Sequence, residues 1–95
     1  MKRRLPRYEI WIGEERKEHE ILEIRAEKLG ECEDRDDQRG RVYRAYRKAN
    51  GNILIHVYDW SNVSGEGDRA SLFWYASLDE AARDFRPVLQ RMNLI

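Results

Sequence analysis

Residues 41–60, RVYRAYRKANGNILIHVYDW, constrain this chain more than any other stretch. Two runs rich in β-branched and aromatic residues flank Asn50-Gly51, a dipeptide that tolerates positive φ well. A two-residue type I′ turn at that point predicts a hairpin with strands over 41–49 and 52–60. The turn would also fix the register. It places Ala49 opposite Asn52, Arg47 opposite Leu54, Ala45 opposite His56 and Tyr43 opposite Tyr58.

Side chains alternate across a strand, so that register assigns the faces. Val42, Tyr46, Ile53, Ile55 and Val57 fall on one. Tyr43, Ala45, Leu54, His56, Tyr58 and Trp60 fall on the other, rimmed by Arg41 and Arg47. A later run, 69–76 (RASLFWYA), splits into Leu72, Trp74 and Ala76 against Phe73 and Tyr75.

The rest of the chain supplies further elements. Tyr8, Ile10 and Ile12 alternate with Glu9 and Trp11, as in a strand ending at Gly13. Residues 14–29 are rich in helix formers, yet Leu22, Ile24 and Ala26 alternate at strand period, so a strand over 20–29 is expected. Residues 31–40 and 61–68 read as polar loops. Ser77-Leu78-Asp79-Glu80 is a capping-box pattern, with Ser77 as cap and Glu80 reaching back. From Leu78 to Met92, apolar residues recur at helical spacing, including Phe85, Val88 and Leu89. Pro87 lies inside that span and predicts a kink or a break near Arg86. The expected architecture is one α+β domain over 1–95. It is an antiparallel meander of four or five strands with one C-terminal helix packed on one face.

The order of these features, and the runs in 41–60 and 71–85 that carry them, resemble the small bacterial proteins named for an EXLDI motif. The resemblance covers about the last two-thirds of the chain. It departs at the motif itself, because Ser77-Leu78-Asp79-Glu80 holds only a fragment of it. It implies strand, tight glycine turn, strand, further strand and C-terminal helix, and no activity.

Charge and cysteine content narrow the function. Lys+Arg and Asp+Glu are both 18, so no global field draws the chain to nucleic acid or an anionic membrane. Locally, 1–7 and 41–48 are basic and 31–37 acidic, and the last two blocks can neutralise each other. Cys32 is the only cysteine, which excludes an internal disulfide and suits a reducing compartment. Its acidic neighbours disfavour a reactive thiolate. No apolar run reaches membrane-span length, and no apolar region follows the basic N-terminus, so the cytoplasm is the expected location.

No catalytic, metal or cofactor motif stands out. His56 lies between aromatics with no nucleophile or orienting carboxylate set beside it, and reads as a core or interface histidine. His19 could join Glu15 and Glu23 on a metal-binding face only if 14–29 were helical. Tyr43, Arg44, Tyr46 and Arg47 suggest a platform for single-stranded nucleic acid, but zero net charge and the lack of known binding motifs weigh against it.

The aliphatic face suits the helix. The aromatic face needs another cover: a second copy, a partner, a ligand or the N-terminal segment. The expectation is a non-enzymatic interaction module. It would self-associate, as a homodimer, through an aromatic face built on Tyr43, Arg47, His56, Tyr58, Trp60, Phe73 and Tyr75, or through an edge strand. Single-stranded nucleic-acid binding on the same face is the alternative.

Overall fold

A computed structural model describes residues 4–95, so Met1, Lys2 and Arg3 of the basic segment 1–7 lie outside the described residues. It holds six strands and one helix: β1 (Arg7–Glu14), β2 (His19–Arg25), β3 (Glu27–Arg35), β4 (Arg39–Arg47), β5 (Ile53–Ser61), β6 (Arg69–Tyr75) and α1 (Leu78–Arg91). All are antiparallel neighbours in one sheet, in the order β2-β1-β6-β5-β4-β3. The α+β class and the C-terminal helix are as expected, and the strand count is six rather than four or five.

The additional strand, β3, comes from a segment whose polarity disguises it. Residues 14–29 hold the end of β1, a turn, β2 and the start of β3, rather than one strand over 20–29. Residues 31–40, read as a loop, carry most of β3 and a short turn. There the acidic block meets the basic block strand to strand. Glu31 sits opposite Arg44 and bonds it at 2.7 Å. Asp36 then closes the turn, its carboxylate accepting the backbone N–H groups of Gln38 and Arg39 at 2.8 Å. These bonds hold the Asp36 carboxyl below its usual range. Cross-strand charge pairing thus makes a strand from residues of low β propensity.

The edge strands β2 and β3 are consecutive in the chain, separated only by Ala26. The sheet must therefore roll until its two edges meet at that residue. Ala26 is fully buried at the corner, and its N–H donates to the Pro6 carbonyl at 3.1 Å.

The hairpin at Asn50-Gly51 forms, but with a different turn. Lys48 N–H donates to Asn52 O at 2.9 Å, and Gly51 N–H to Lys48 O at 2.9 Å. Gly51 has φ of 90°, whereas Asn50 is not in the positive-φ region. This is a three-residue loop over 49–51 with glycine in the left-handed position. The longer loop shifts the register by one residue, so Tyr43 faces Val57, Ala45 faces Ile55 and Arg44 faces His56. A one-residue shift exchanges faces. Tyr43, Ala45 and Arg47 therefore join Ile53, Ile55 and Val57, while Val42 and Tyr46 move to the side of Leu54, His56, Tyr58 and Trp60.

The helix covers the first of these faces. Ser77 caps it, accepting the Glu80 N–H at 3.2 Å, and Glu80 accepts the Ala76 N–H at 2.8 Å. The helix kinks at Phe85 (φ −127°, ψ 30°), two residues before Pro87, whose ring crowds the preceding turn. Ala81, Ala82 and Leu89 pack on Ala45, Ile53, Ile55 and Val57. Asn93, at φ 60°, ends it in a Schellman turn, with Leu94 N–H on Leu89 O at 3.0 Å.

The β1–β2 hairpin covers the second face. Ile10, Ile24 and Ala26 pack on Tyr46 and Leu54, and the Tyr8 and Tyr46 rings lie 5.0 Å apart. Of the covers open to this face from the sequence, the N-terminal segment is the one present.

Candidate interaction surface

The residues expected to share one aromatic face are divided. Tyr43, Arg47, Phe73 and Tyr75 lie on the helix side, and His56, Tyr58 and Trp60 on the hairpin side. His56 is buried, with Nε2 2.8 Å from the Trp11 carbonyl. The Tyr58 hydroxyl donates to Asp68 at 2.7 Å, and its ring packs on Trp11. Burial, reinforced by Asp68, pushes the Tyr58 phenol up to about 12. Trp60 lies over Gly40 and donates its indole N–H to Glu33 at 2.8 Å. These three are held by the chain itself.

On the helix side Phe85 is the hub. The rings of Tyr43, Phe73 and Tyr75 approach it edge-on at 6.3, 5.4 and 6.1 Å. Tyr75 donates to Asp84 at 2.7 Å, while Phe73 stays 42% exposed. On the opposite side of β6, Trp74 is 53% exposed, with the Lys48 ammonium 5.2 Å from its ring centroid. Two large exposed aromatics thus sit on consecutive residues of one strand.

The backbone of that strand is also open. β1 pairs with β6 only at Glu14–Arg69 and Gly13–Ala70, then leaves the ladder. The Glu15 N–H bonds the Asp68 carbonyl at 2.8 Å, so Asp68 turns its backbone groups toward β1. Alternate residues do the same. Ala70 meets Gly13, and the Ala76 N–H is taken by the Glu80 carboxylate. Between them, Leu72 and Trp74 have no backbone partner on that side among the described residues.

The outer edges of β2 and β3 are charged, although Ile21 on β2 is 62% exposed. β2 carries His19, Glu20, Glu23 and Arg25, and β3 carries a register shift between Lys28 and Gly30 together with Glu27, Glu31, Glu33 and Asp34. Charges and bulges of this kind discourage strand addition. Ser71 to Tyr75 carry no charge at all. Sequence reasoning missed Leu72 and Trp74 as edge residues. Nothing local marks them, because the opening depends on where β1 departs.

A cleft of about 790 Å³ lies at the end of the sheet around Trp60. Its acidic and basic lining residues balance, six of each. Arg39 pairs with Glu66 at 2.7 Å, Arg41 with Asp59 at 2.6 Å and Arg69 with Asp59 at 3.5 Å. These three guanidiniums are already matched by carboxylates. His19 stacks near Trp11 at the start of β2, and no group of three or more metal-ligating side chains occurs among the described residues. The Cys32 thiol is pushed up, chiefly by burial. Among the described residues, no helix is long and apolar enough to cross a membrane.

Searches against protein-family models, curated proteins and solved structures found no match to this chain.

Proposed function

We propose that this protein is a non-enzymatic interaction module that self-associates through the open edge of β6. The observation that carries this reading is the uncharged window Ser71 to Tyr75. It joins unpaired backbone groups at Leu72 and Trp74 to exposed rings at Phe73 and Trp74. An added strand satisfies the backbone, and the rings bury area beside it. The charged edges of β2 and β3 leave β6 as the acceptor. The aromatic contact expected from the sequence is kept in kind and moved in place, from a sheet face to a strand edge.

Light scattering over a range of concentrations tests this. The mass should rise toward a dimer, and raising the salt should not reverse it, because the contact is apolar and backbone-mediated. Trp74→Lys should shift the protein to monomer while the circular dichroism of the fold is retained. A wild type that stays monomeric at every concentration overturns the reading. Binding of a single-stranded oligonucleotide that falls steeply with salt would favour nucleic acid instead.

A further inference from the structure

Resting on self-association through β6, we infer that the partner is a second copy of this chain, added antiparallel about a two-fold axis through Phe73. The open window is bounded on both sides. At one end Gly13 occupies Ala70, and at the other the Glu80 carboxylate occupies the Ala76 N–H. Leu72 and Trp74 remain, placed symmetrically about Phe73.

An axis through Phe73 sets Leu72 of one copy opposite Trp74 of the other. Both residues turn their N–H and C=O toward the open edge, as the Glu15–Asp68 bond requires. The far side of the sheet agrees. The Asn52 carbonyl points to β4, so odd-numbered residues of β5 point to β6 and meet Phe73 and Tyr75. Each Leu72–Trp74 pair can therefore exchange two hydrogen bonds, and the two-fold doubles them. An axis through Leu72 or Trp74 would leave one open residue of each copy facing a closed one.

Side chains and charges fit the same register. Directly opposed residues share a face, so Trp74 lies across from Leu72, which is only half-buried by its own chain. On the helix side the two Phe73 rings meet, each backed by its Phe85 at 5.4 Å. Arg69, whose side chain is 64% exposed, lies just beyond the window, at the end where the partner's helix begins with Asp79 and Glu80. The added strand also ends where it must. Beyond Tyr75 the chain turns into the helix, just where β1 closes the ladder. The product is one continuous sheet running through both copies.

Cysteine cross-linking reads this register. In a Cys32→Ser background, Phe73→Cys places two thiols at a non-hydrogen-bonded pair, with Cα atoms about 4.5 Å apart. Mild oxidation should convert the protein almost completely to a covalent dimer. Ser71→Cys places its two copies about 13 Å apart along the strands, too far to bridge. It should stay uncrosslinked alone, yet couple to Tyr75→Cys when the two variants are mixed. That mixed pair keeps the test intact if Phe73→Cys folds poorly. A wild-type dimer in which neither Phe73→Cys nor the mixture cross-links overturns the register and spares the self-association. So does a dimer in which Ser71→Cys cross-links with itself. A wild-type monomer overturns both.

Discussion

His56 Nε2 lies 2.8 Å from the main-chain carbonyl oxygen of Trp11. A carbonyl only accepts, so Nε2 carries a proton, which fixes the tautomer of the neutral ring. The bond also explains the open edge. Had β1 continued along β6 from the Gly13–Ala70 pair, Trp11 would stand opposite Leu72. Its carbonyl would then accept the Leu72 N–H. His56 takes that carbonyl instead, β1 goes on to cover the second face, and Leu72 is left without its neighbour.

The same ring makes stability depend on pH. Nδ1 is buried without a partner, and a charged ring would add a second N–H there with no acceptor. Burial pushes the His56 pKa below its ordinary 6.5, although the bond to Trp11 opposes the shift. A depressed folded value means that the unfolded chain takes up the proton first. The contribution is present above pH 6.5 and is lost as pH falls from there toward the folded value. The melting temperature should therefore drop across this window. His56→Leu should flatten the drop, while its orphaned Trp11 carbonyl costs ~1–3 kcal/mol at neutral pH. Equal pH slopes for the two proteins would rule out this role.

Gly51 gives a purely conformational test. At φ 90° it occupies a region that side chains with a Cβ resist, while a Cβ built there meets nothing within 4 Å. Gly51→Val should destabilise by ~1 kcal/mol or more through the backbone alone. Gly51→Asn should cost less, since asparagine visits the left-handed region more readily. Urea melts that rank the two variants the other way would contradict the turn assignment.

The helix was legible in the sequence because its information is local: Ser77, Glu80, the apolar spacing and Pro87 each act within a few residues. The hairpin was legible as a hairpin, but its faces were not. Whether Asn50-Gly51 closes a two- or three-residue loop changes one residue of register, and that one residue reassigns Tyr43 and Arg47. Strand β3 was hidden because its cohesion comes from charges on another strand, as at Glu31 and Arg44. The open edge was hidden more deeply. It depends on the His56–Trp11 contact, between residues 45 apart in the chain.

The buried stripe of the helix separates sharply from its rim. Leu89 is fully buried, so Leu89→Ala should cost ~2–5 kcal/mol. Phe85 is only partly buried, but three rings lean on it, and Phe85→Ala should fall at or below the lower part of that range. Asp84 accepts the Tyr75 hydroxyl, and burial together with this bond pushes the Tyr75 phenol up to about 12. Asp84→Ala should bring its ultraviolet titration midpoint down toward the ordinary value near 10 while changing stability little. An unchanged tyrosine titration would count against the Asp84 contact.

Gly40 and Trp60 face each other across β4 and β5. The indole lies so close over Gly40 that a Cβ there would stand 2.3 Å from the ring. Such a ring shields a glycine in a strand and recovers packing that the glycine itself cannot supply. Gly40→Ala must displace the indole, and with it the 2.8 Å bond to Glu33. The expected cost is ~1–3 kcal/mol, the range for forcing extra volume into a filled site. Trp60→Ala alone should also destabilise, by uncovering Gly40 and removing the ring. Once the ring is gone, however, Gly40→Ala has nothing to strike, and alanine resists unfolding better than glycine. The second substitution should then be neutral or stabilising, so the pair is strongly non-additive in a double-mutant cycle. Chemical denaturation of the two single variants and the double variant measures the coupling. Additive costs would show that the ring does not rest on Gly40.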